Sequence, residues 1–145
     1  MTYHFHVPGV AKTERKRQRM FTSKSGRTVV GARTDEPDRQ DFKARLAFFA
    51  RQAIPAPLCG PVALELQVTR PCPKSQPKRA TAKNPWPWAD IKRPDADNYV
   101  KICCDAMTGI AWNDDAQIID LRVTKGFGEH GVTVTITEAQ EGEAA

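Results

Sequence analysis

Residues 93–125 read RPDADNYVKICCDAMTGIAWNDDAQIIDLRVTK, in which a helix signal is followed at once by a strand signal. Asp97 or Asn98 can cap a helix that continues to Met107. Its apolar residues recur at i, i+3, i+4 and i+7, and they are Val100, Cys103, Cys104 and Met107. Gly109 then favours a helix end. Three alternating apolar residues predict the strand that follows: Ile119, Leu121 and Val123.

The flanking sequence adds a second helix and further strands. Residues 37–53 predict a helix, because apolar side chains recur at helical spacing after an acidic start with an early proline. Residues 62–69 alternate between apolar and polar side chains and predict a strand, and residues 2–7, 28–30 and 132–136 predict three more. The resulting order, β-β-α-β-loop-α-β-β, indicates a single small α/β (α+β) domain with a mixed β-sheet and two main helices.

Three segments between these elements predict loops. Residues 11–24 read as a basic loop, and the glycines of residues 126–131 predict a hairpin between the last two strands. Residues 71–94 hold six prolines and no apolar periodicity, so no regular element fits them. A loop of this length in a compact domain is usually functional or disordered. Its Trp86 and Trp88 are either a hydrophobic clip that pins the loop or platforms on which nucleic-acid bases stack.

The composition limits the class of protein. The chain has 145 residues, 40% of them apolar, which is enough for one modest core. No apolar run approaches the roughly 18–20 residues of a membrane helix, and the N-terminus carries no secretory signal, so we expect a cytoplasmic protein with no membrane partner. The spacing of the four cysteines favours neither zinc nor a disulfide, which predicts reduced thiols. We assign residues 1–139 to the domain and 140–145 to a disordered acidic tail.

Charge is segregated along the chain, whose formal net charge is +5. Residues 12–33 contain eight basic side chains and one acidic one, and residues 70–93 contain seven basic and one acidic. Residues 94–145 contain three basic side chains and ten acidic ones. Solvated loops and a charged tail would account for this pattern. It is also typical of an enzyme that binds phosphates with basic loops and cuts them with a metal ion held by nearby carboxylates.

The carboxylates are concentrated around the predicted second helix. Asp95 and Asp97 lie two residues apart at its entrance, and Lys101 lies one turn further along the same face. Asp114 and Asp115 follow the helix in a polar turn, which a helix folded back on its strand could bring near Asp95. Several carboxylates therefore belong to one region of the predicted fold.

Each of these features also has a purely structural explanation. Asp97 can be an N-cap, Asp114 and Asp115 can form a turn, and an ion-pair ladder can join Asp97, Lys101 and Asp105. However, massed carboxylates repel one another unless a cation lies among them. Hard oxygen ligands without His or Cys nearby are suited to Mg²⁺ or Mn²⁺, and such an ion can polarise a phosphodiester.

The segments RPDADNYVKICCDAMTG and WNDDAQIIDLRVTK closely resemble the signature of the RusA family of Holliday junction resolvases. The shared features are an Asp-x-Asp-Asn-x-x-x-Lys segment that opens a helix, and an Asp-Asp-x-Gln turn that leads into a strand with a later Lys. The match is strong over residues 93–125 and looser elsewhere. The resemblance implies these catalytic residues: Asp95, Asp97, Lys101 and Asp115. It implies a metal site formed by Asp95, Asp97 and Asp115, with Asp114 as an accessory ligand.

The same resemblance implies a homodimer that cuts four-way DNA junctions by paired symmetric nicks, with Mg²⁺ or Mn²⁺ and no small-molecule cofactor. A role in DNA recombination and repair, in a phage or a cell, is consistent with it. Two other functions stay open: a non-catalytic basic DNA-binding module, and a Mg²⁺-dependent nuclease without junction preference. We expect phosphate contacts from basic side chains of the two basic segments and of one strand. These are Arg15, Lys16, Arg17, Arg19, Lys74, Lys78, Arg79, Lys83, Lys92, Arg93 and Lys125.

Overall fold

The structure, a computed structural model, describes residues 1–12, 20–22, 24–26, 28–30 and 37–139. Its centre is a four-stranded mixed sheet with two helices packed on it. The strands are β1 (Thr2–Pro8), β2 (Met20–Thr22), β3 (Thr28–Val30), β4 (Val62–Arg70), β5 (Ile118–Phe127) and β6 (Gly131–Glu138). The helices are α1 (Pro37–Ala53) and α2 (Ala96–Met107), and a 3₁₀ turn covers Asp115–Gln117. This architecture confirms the predicted α+β fold with a mixed sheet.

The sheet has the strand order β1-β6-β4-β5. β4 and β5 are parallel, whereas β6 is antiparallel to both β4 and β1. A parallel pair needs a crossover connection, and here it consists of the loop of residues 71–95 followed by α2. The loop starts at the C-terminal end of β4, and in open α/β sheets this end of the strands is where ligands bind.

The predicted hairpin between β5 and β6 is wrong, because β4 lies between these two strands. The connecting residues cross the end of β4, where Gly128 N donates to Arg70 O (2.9 Å) and Thr69 Oγ1 donates to Glu129 O (2.6 Å). The glycines indicated the turn, but strand pairing depends on packing with strands that are distant in sequence.

Two element boundaries also differ from the predictions. β2 lies inside the segment predicted as a basic loop, and it pairs with β3 in a separate two-stranded sheet. α2 takes Asp95 as its N-cap instead of Asp97 or Asn98. Asp and Asn are both good N-caps, so residue type alone does not distinguish these positions, and the extended backbone of Asp95 (φ −73°, ψ 150°) identifies it as the cap.

The core lies between the helices and one face of the sheet, and its helix residues include Phe42, Leu46, Ala50, Ile102, Cys103 and Met107. All four cysteines are free, as predicted, with Cys59 and Cys72 exposed and the other two buried. No helix within the described ranges is long and apolar enough to span a membrane. The predicted tail, 140–145, lies outside the described residues.

Candidate active site

Asp95 is the first of the predicted catalytic residues along the chain, and among the described residues its carboxylate makes neither a cap hydrogen bond nor an ion pair. It is the N-cap of α2, and its backbone oxygen accepts from Asn98 N (3.2 Å). Its side chain is exposed and makes no cap hydrogen bond, although capping is the usual reason for an aspartate at this position. The carboxylate is therefore available to a ligand.

Asp97 and Lys101 lie on the first turns of α2 and are both exposed. Within the described residues neither forms an ion pair, and Asp105 pairs instead with Lys43 of α1 (4.0 Å). The proposed ladder of Asp97, Lys101 and Asp105 is therefore wrong, because Asp105 turns towards the neighbouring helix. The charges of Asp97 and Lys101 face solvent.

Asp114 and Asp115 form a second carboxylate pair in the turn after α2. Asp114 caps the 3₁₀ turn by accepting from Ala116 N (2.9 Å), which confirms that it has a structural role. This hydrogen bond and then one with the carboxyl group of Asp115 lower the pKa of Asp114. Asp115 lies in the 3₁₀ turn itself and is exposed.

Gln117 holds this acidic turn in place, a role that residue type and spacing did not predict. Its Oε1 accepts from Asn113 N (2.8 Å) and Asp114 N (2.9 Å). Its Nε2 donates to Leu58 O (2.8 Å) and Gly60 O (2.9 Å) in the connection between α1 and β4. The available signal was the capping box, an aspartate followed three residues later by a glutamine.

Asp95 and Asp97 belong to the N-terminal end of α2, whereas Asp114 and Asp115 follow its C-terminal end in the chain. Burial, then Asp115 and then Asp105 raise the pKa of Cys104 to about 11, which places the Asp115 charge near the C-terminal half of α2. In the part of the chain that the structure describes, no three His, Cys, Asp or Glu side chains come close enough together to hold a metal ion. The structure thus brings the four aspartates into two pairs and not into one cluster.

The chemistry of these donors fits a hard divalent cation. Carboxylate oxygens are the ligands that Mg²⁺ and Mn²⁺ prefer. Cys104, whose thiol feels the Asp115 charge, is buried, so the exposed donors of the two pairs are carboxylates only. Two pairs of carboxylates leave coordination positions for water, for phosphate oxygens or for donors from outside the chain.

The long loop places basic side chains beside the start of α2. Its six predicted DNA contacts are exposed, namely Lys74, Lys78, Arg79, Lys83, Lys92 and Arg93. Lys125 of β5 is half-buried, and its Nζ donates to Lys92 O (2.7 Å), so it holds the loop against the sheet. Arg15, Lys16, Arg17 and Arg19 lie outside the described residues.

An ion pair between Arg70 and Asp90 anchors this loop to the end of β4, and the spacing of the two residues did not predict it. Arg70 Nε and Nη2 donate to the two carboxylate oxygens of Asp90 at 2.6 and 2.5 Å, and Asp90 is buried. The hydrogen bond with Asp90 raises the pKa of Arg70. Trp86 and Trp88 are exposed, so the hydrophobic-clip interpretation is wrong. The ion pair between Arg70 and Asp90 holds the loop against the end of β4 instead.

A small α+β domain with free carboxylates at a crossover helix and a basic loop beside them has the features of a DNA-processing enzyme. Comparison with protein families matches residues 8–137 to the family described as endodeoxyribonuclease RusA. The chain belongs to this family, which confirms the resemblance seen in residues 93–125.

A bacterial relative matches part of the chain. It is the "Uncharacterized protein YqaN" of Bacillus subtilis (strain 168), which is 36% identical over 92 residues. These residues are 61% of this chain and 65% of the relative, so the match spans less than two thirds of the relative's length. Its name assigns no activity.

Proposed function

We propose that this protein is a metal-dependent endodeoxyribonuclease that hydrolyses one phosphodiester in each of two strands of a four-way DNA junction. The observation that carries the proposal is the pair Asp95 and Asp97, whose exposed carboxylates serve neither a cap nor an ion pair in the described residues of a RusA-family chain. Carboxylates that contribute little to the fold, beside a basic loop, are best explained by a cation and a phosphate.

Each acidic residue has a role in this proposal. Asp95, Asp97 and Asp115 would hold Mg²⁺ or Mn²⁺, which requires the acidic turn to move towards the entrance of α2 when the ion binds, because these side chains do not form one cluster in the described residues. Asp114, which caps the 3₁₀ turn, would fix the backbone position of its neighbour Asp115. A bound Mg²⁺ would supply Lewis-acid polarisation of the phosphodiester. Lys101 lies one helical turn after Asp97, where its ammonium group can offset the negative charge that develops on the phosphate.

DNA binding is assigned to the loop of residues 71–95. Its exposed lysines and arginines attract phosphates without regard to sequence. Because Arg70 and Lys125 tie Asp90 and Lys92 to the ends of β4 and β5, the last two cations of the loop, Lys92 and Arg93, are held just before the entrance of α2. The DNA backbone is thereby guided towards Asp95 and Asp97.

The proposal includes a homodimer, and the edge strand β5 supports it. β5 is an outer strand of the four-stranded sheet, and among the described residues no strand pairs with its free edge. Ile119 and Leu121 on this strand are 71% and 46% exposed. Long apolar edge strands associate readily with another strand, so β5 is a natural contact between two copies.

Among the registers centred on Asp120, Leu121 and Arg122, charge favours the one centred on Leu121. In an antiparallel pair related by a two-fold axis at Leu121, Asp120 lies opposite the partner's Arg122, and Ile119 lies opposite the partner's Val123. An axis at Asp120 or at Arg122 would instead place like charges opposite each other. Two active sites related in this way match the two-fold symmetry of a four-way junction.

The test is cleavage of a labelled four-way junction and of a matched linear duplex, with Mg²⁺ or with EDTA. We expect wild type to cut the junction only with Mg²⁺, in symmetric positions, leaving 5′-phosphate ends. Asp95→Asn should bind the junction but not cut it, because removal of a negative charge does not weaken attraction to phosphate. Lys101→Ala should cut about 100-fold more slowly or worse.

Asp105→Asn is the matched control, since Asp105 lies on the same helix but pairs with Lys43. It should cut like wild type. Cutting by Asp95→Asn at the wild-type rate would contradict the metal assignment, and equal cutting of duplex and junction would identify a nuclease without junction preference.

A further inference from the structure

The segment of residues 85–91, PWPWADI, presents three large apolar side chains to solvent, and we name it the tryptophan turn. Trp86, Trp88 and Ile91 are 53%, 75% and 64% exposed, whereas Trp112 is fully buried. We propose that Trp86 and Trp88 form a stacking platform for unpaired nucleobases. The proposal rests on the proposed function in one respect, namely that the ligand is DNA.

The backbone of the tryptophan turn is constrained. Ala89 N donates to Trp86 O (3.1 Å), which closes a four-residue turn with Pro87 at its second position, where the fixed φ of proline is favourable. Trp86 N donates to Asn84 Oδ1 (3.0 Å). A turn that is already ordered loses less conformational entropy when its rings bind a ligand.

The turn is also anchored on both sides without help from the indoles. Asp90 forms its two-pronged ion pair with Arg70 at the end of β4. Gln76 is 7% exposed, and its Nε2 donates to Pro87 O (3.4 Å). Since these contacts hold the segment, the exposure of the two indoles is not required for folding, and a ligand is the simplest reason for it.

The charge around the turn identifies the ligand class. Asp90 is the one carboxylate in residues 70–93, and Arg70 neutralises it, so the exposed charges of this loop are all positive. A ligand that matches needs negative charge next to flat apolar surfaces. Nucleic acid with unstacked bases provides both, because phosphates meet the lysines and the base faces meet the indoles. The branch point of a junction is where such bases become accessible.

The experiment measures equilibrium binding in EDTA, where no cleavage occurs, to a four-way junction and to a single-stranded oligo-dT. Trp88→Ala should weaken binding to both by about 5- to 100-fold, the range expected for loss of one base stack. The slope of log K against log salt should stay unchanged, because no phosphate contact is lost. Trp88→Phe should keep most of the affinity, and Trp86→Ala should behave like Trp88→Ala.

Two controls make the result specific. Phe48→Ala removes an aromatic ring that is 55% exposed on α1, and it should bind like wild type. Lys78→Ala with Arg79→Ala should reduce the salt slope, which is the signature of lost phosphate contacts.

Three results would overturn the platform. If wild type binds DNA but Trp86→Ala and Trp88→Ala bind equally well, the platform alone is wrong and the nuclease proposal stands. If Trp88→Ala changes the oligomeric state in sedimentation, the turn contacts a second copy instead of bases. If wild type binds neither DNA, the platform and the proposed function fail together.

Discussion

The aspartates of this chain differ in what their carboxylates contact. Asp90 is buried against Arg70, Asp105 pairs with Lys43, and Asp114 caps a 3₁₀ turn. Asp95 and Asp97 have no such partner among the described residues. Because two of these structural partners are distant in sequence, residue type and spacing alone could not separate the structural carboxylates from the free ones.

The thiols give a prediction at the residue scale. Burial raises the pKa of Cys103, and burial with the charges of Asp115 and Asp105 raises the pKa of Cys104 to about 11. At pH 8 a maleimide should label the exposed Cys59 and Cys72 and leave the buried pair unmodified, as counted by mass spectrometry. Labelling of Cys104 in the native protein would contradict the burial that the structure assigns to it.

The same thiols predict a stability change at high pH. The folded pKa of Cys104 is raised above its ordinary value of 9.0, so the native state holds a proton that the unfolded chain releases. The stability contributed by the neutral thiol is full below about pH 9 and is lost as the pH rises towards 11. A Cys104→Ala variant should show a smaller decline over this window in urea unfolding.

At the scale of elements, α1 was predicted to the residue because its signals are local: an acidic start, an early proline and apolar periodicity. The order of the strands was not predicted correctly, because β4 lies between β5 and β6, and this pairing depends on packing between segments that are distant in sequence. The acidic turn is an intermediate case. Its capping box can be predicted from the sequence, but the hydrogen bonds from Gln117 to Leu58 O and Gly60 O can be seen only in the structure.

Gln117 gives the prediction at this scale. Gln117→Leu removes four hydrogen bonds and leaves two backbone carbonyls without their donor, which should lower the free energy of unfolding by about 1–3 kcal/mol. Gln117→Glu keeps the acceptor for Asn113 and Asp114 but loses the donor, so it should fall between wild type and Gln117→Leu. Urea unfolding measures both effects.

The control for this prediction is Gln52→Leu, which changes an exposed glutamine on α1. It should unfold like wild type. An equally small effect of Gln117→Leu would show that the acidic turn is held by other contacts.

At the scale of the whole molecule, the sequence established one mixed α+β domain and its family, but not which surfaces are free. That β5 has a free edge could be seen only from the strand order of the sheet. That Trp88 is exposed could be seen only from the fold of the long loop and the contacts that anchor it. The candidate carboxylates were all identified from sequence. Their separation into two pairs was not, since it depends on how the 3₁₀ turn packs against the end of α2.

The proposed dimer gives the prediction at this scale. Asp120→Arg should weaken dimerisation, because it places two arginines opposite each other across the proposed axis at Leu121. The charge-swapped double variant, Asp120→Arg with Arg122→Asp, should dimerise like wild type because complementarity is restored. Sedimentation velocity measures the outcome, and a single variant that dimerises as tightly as wild type would place the interface elsewhere.

The central claim is that Asp95 and Asp97 are retained for a divalent metal and not for the fold, and thermal melting in EDTA and in millimolar Mg²⁺ tests it most directly. In EDTA, Asp95→Asn should melt close to wild type, because the Asp95 side chain makes no cap bond. Mg²⁺ should raise the Tm of wild type and of the control Asp105→Asn by binding the native state, and should leave Asp95→Asn unchanged. If Asp95→Asn melts lower in EDTA and none of the three proteins responds to Mg²⁺, the carboxylate serves the fold and the metal site is contradicted.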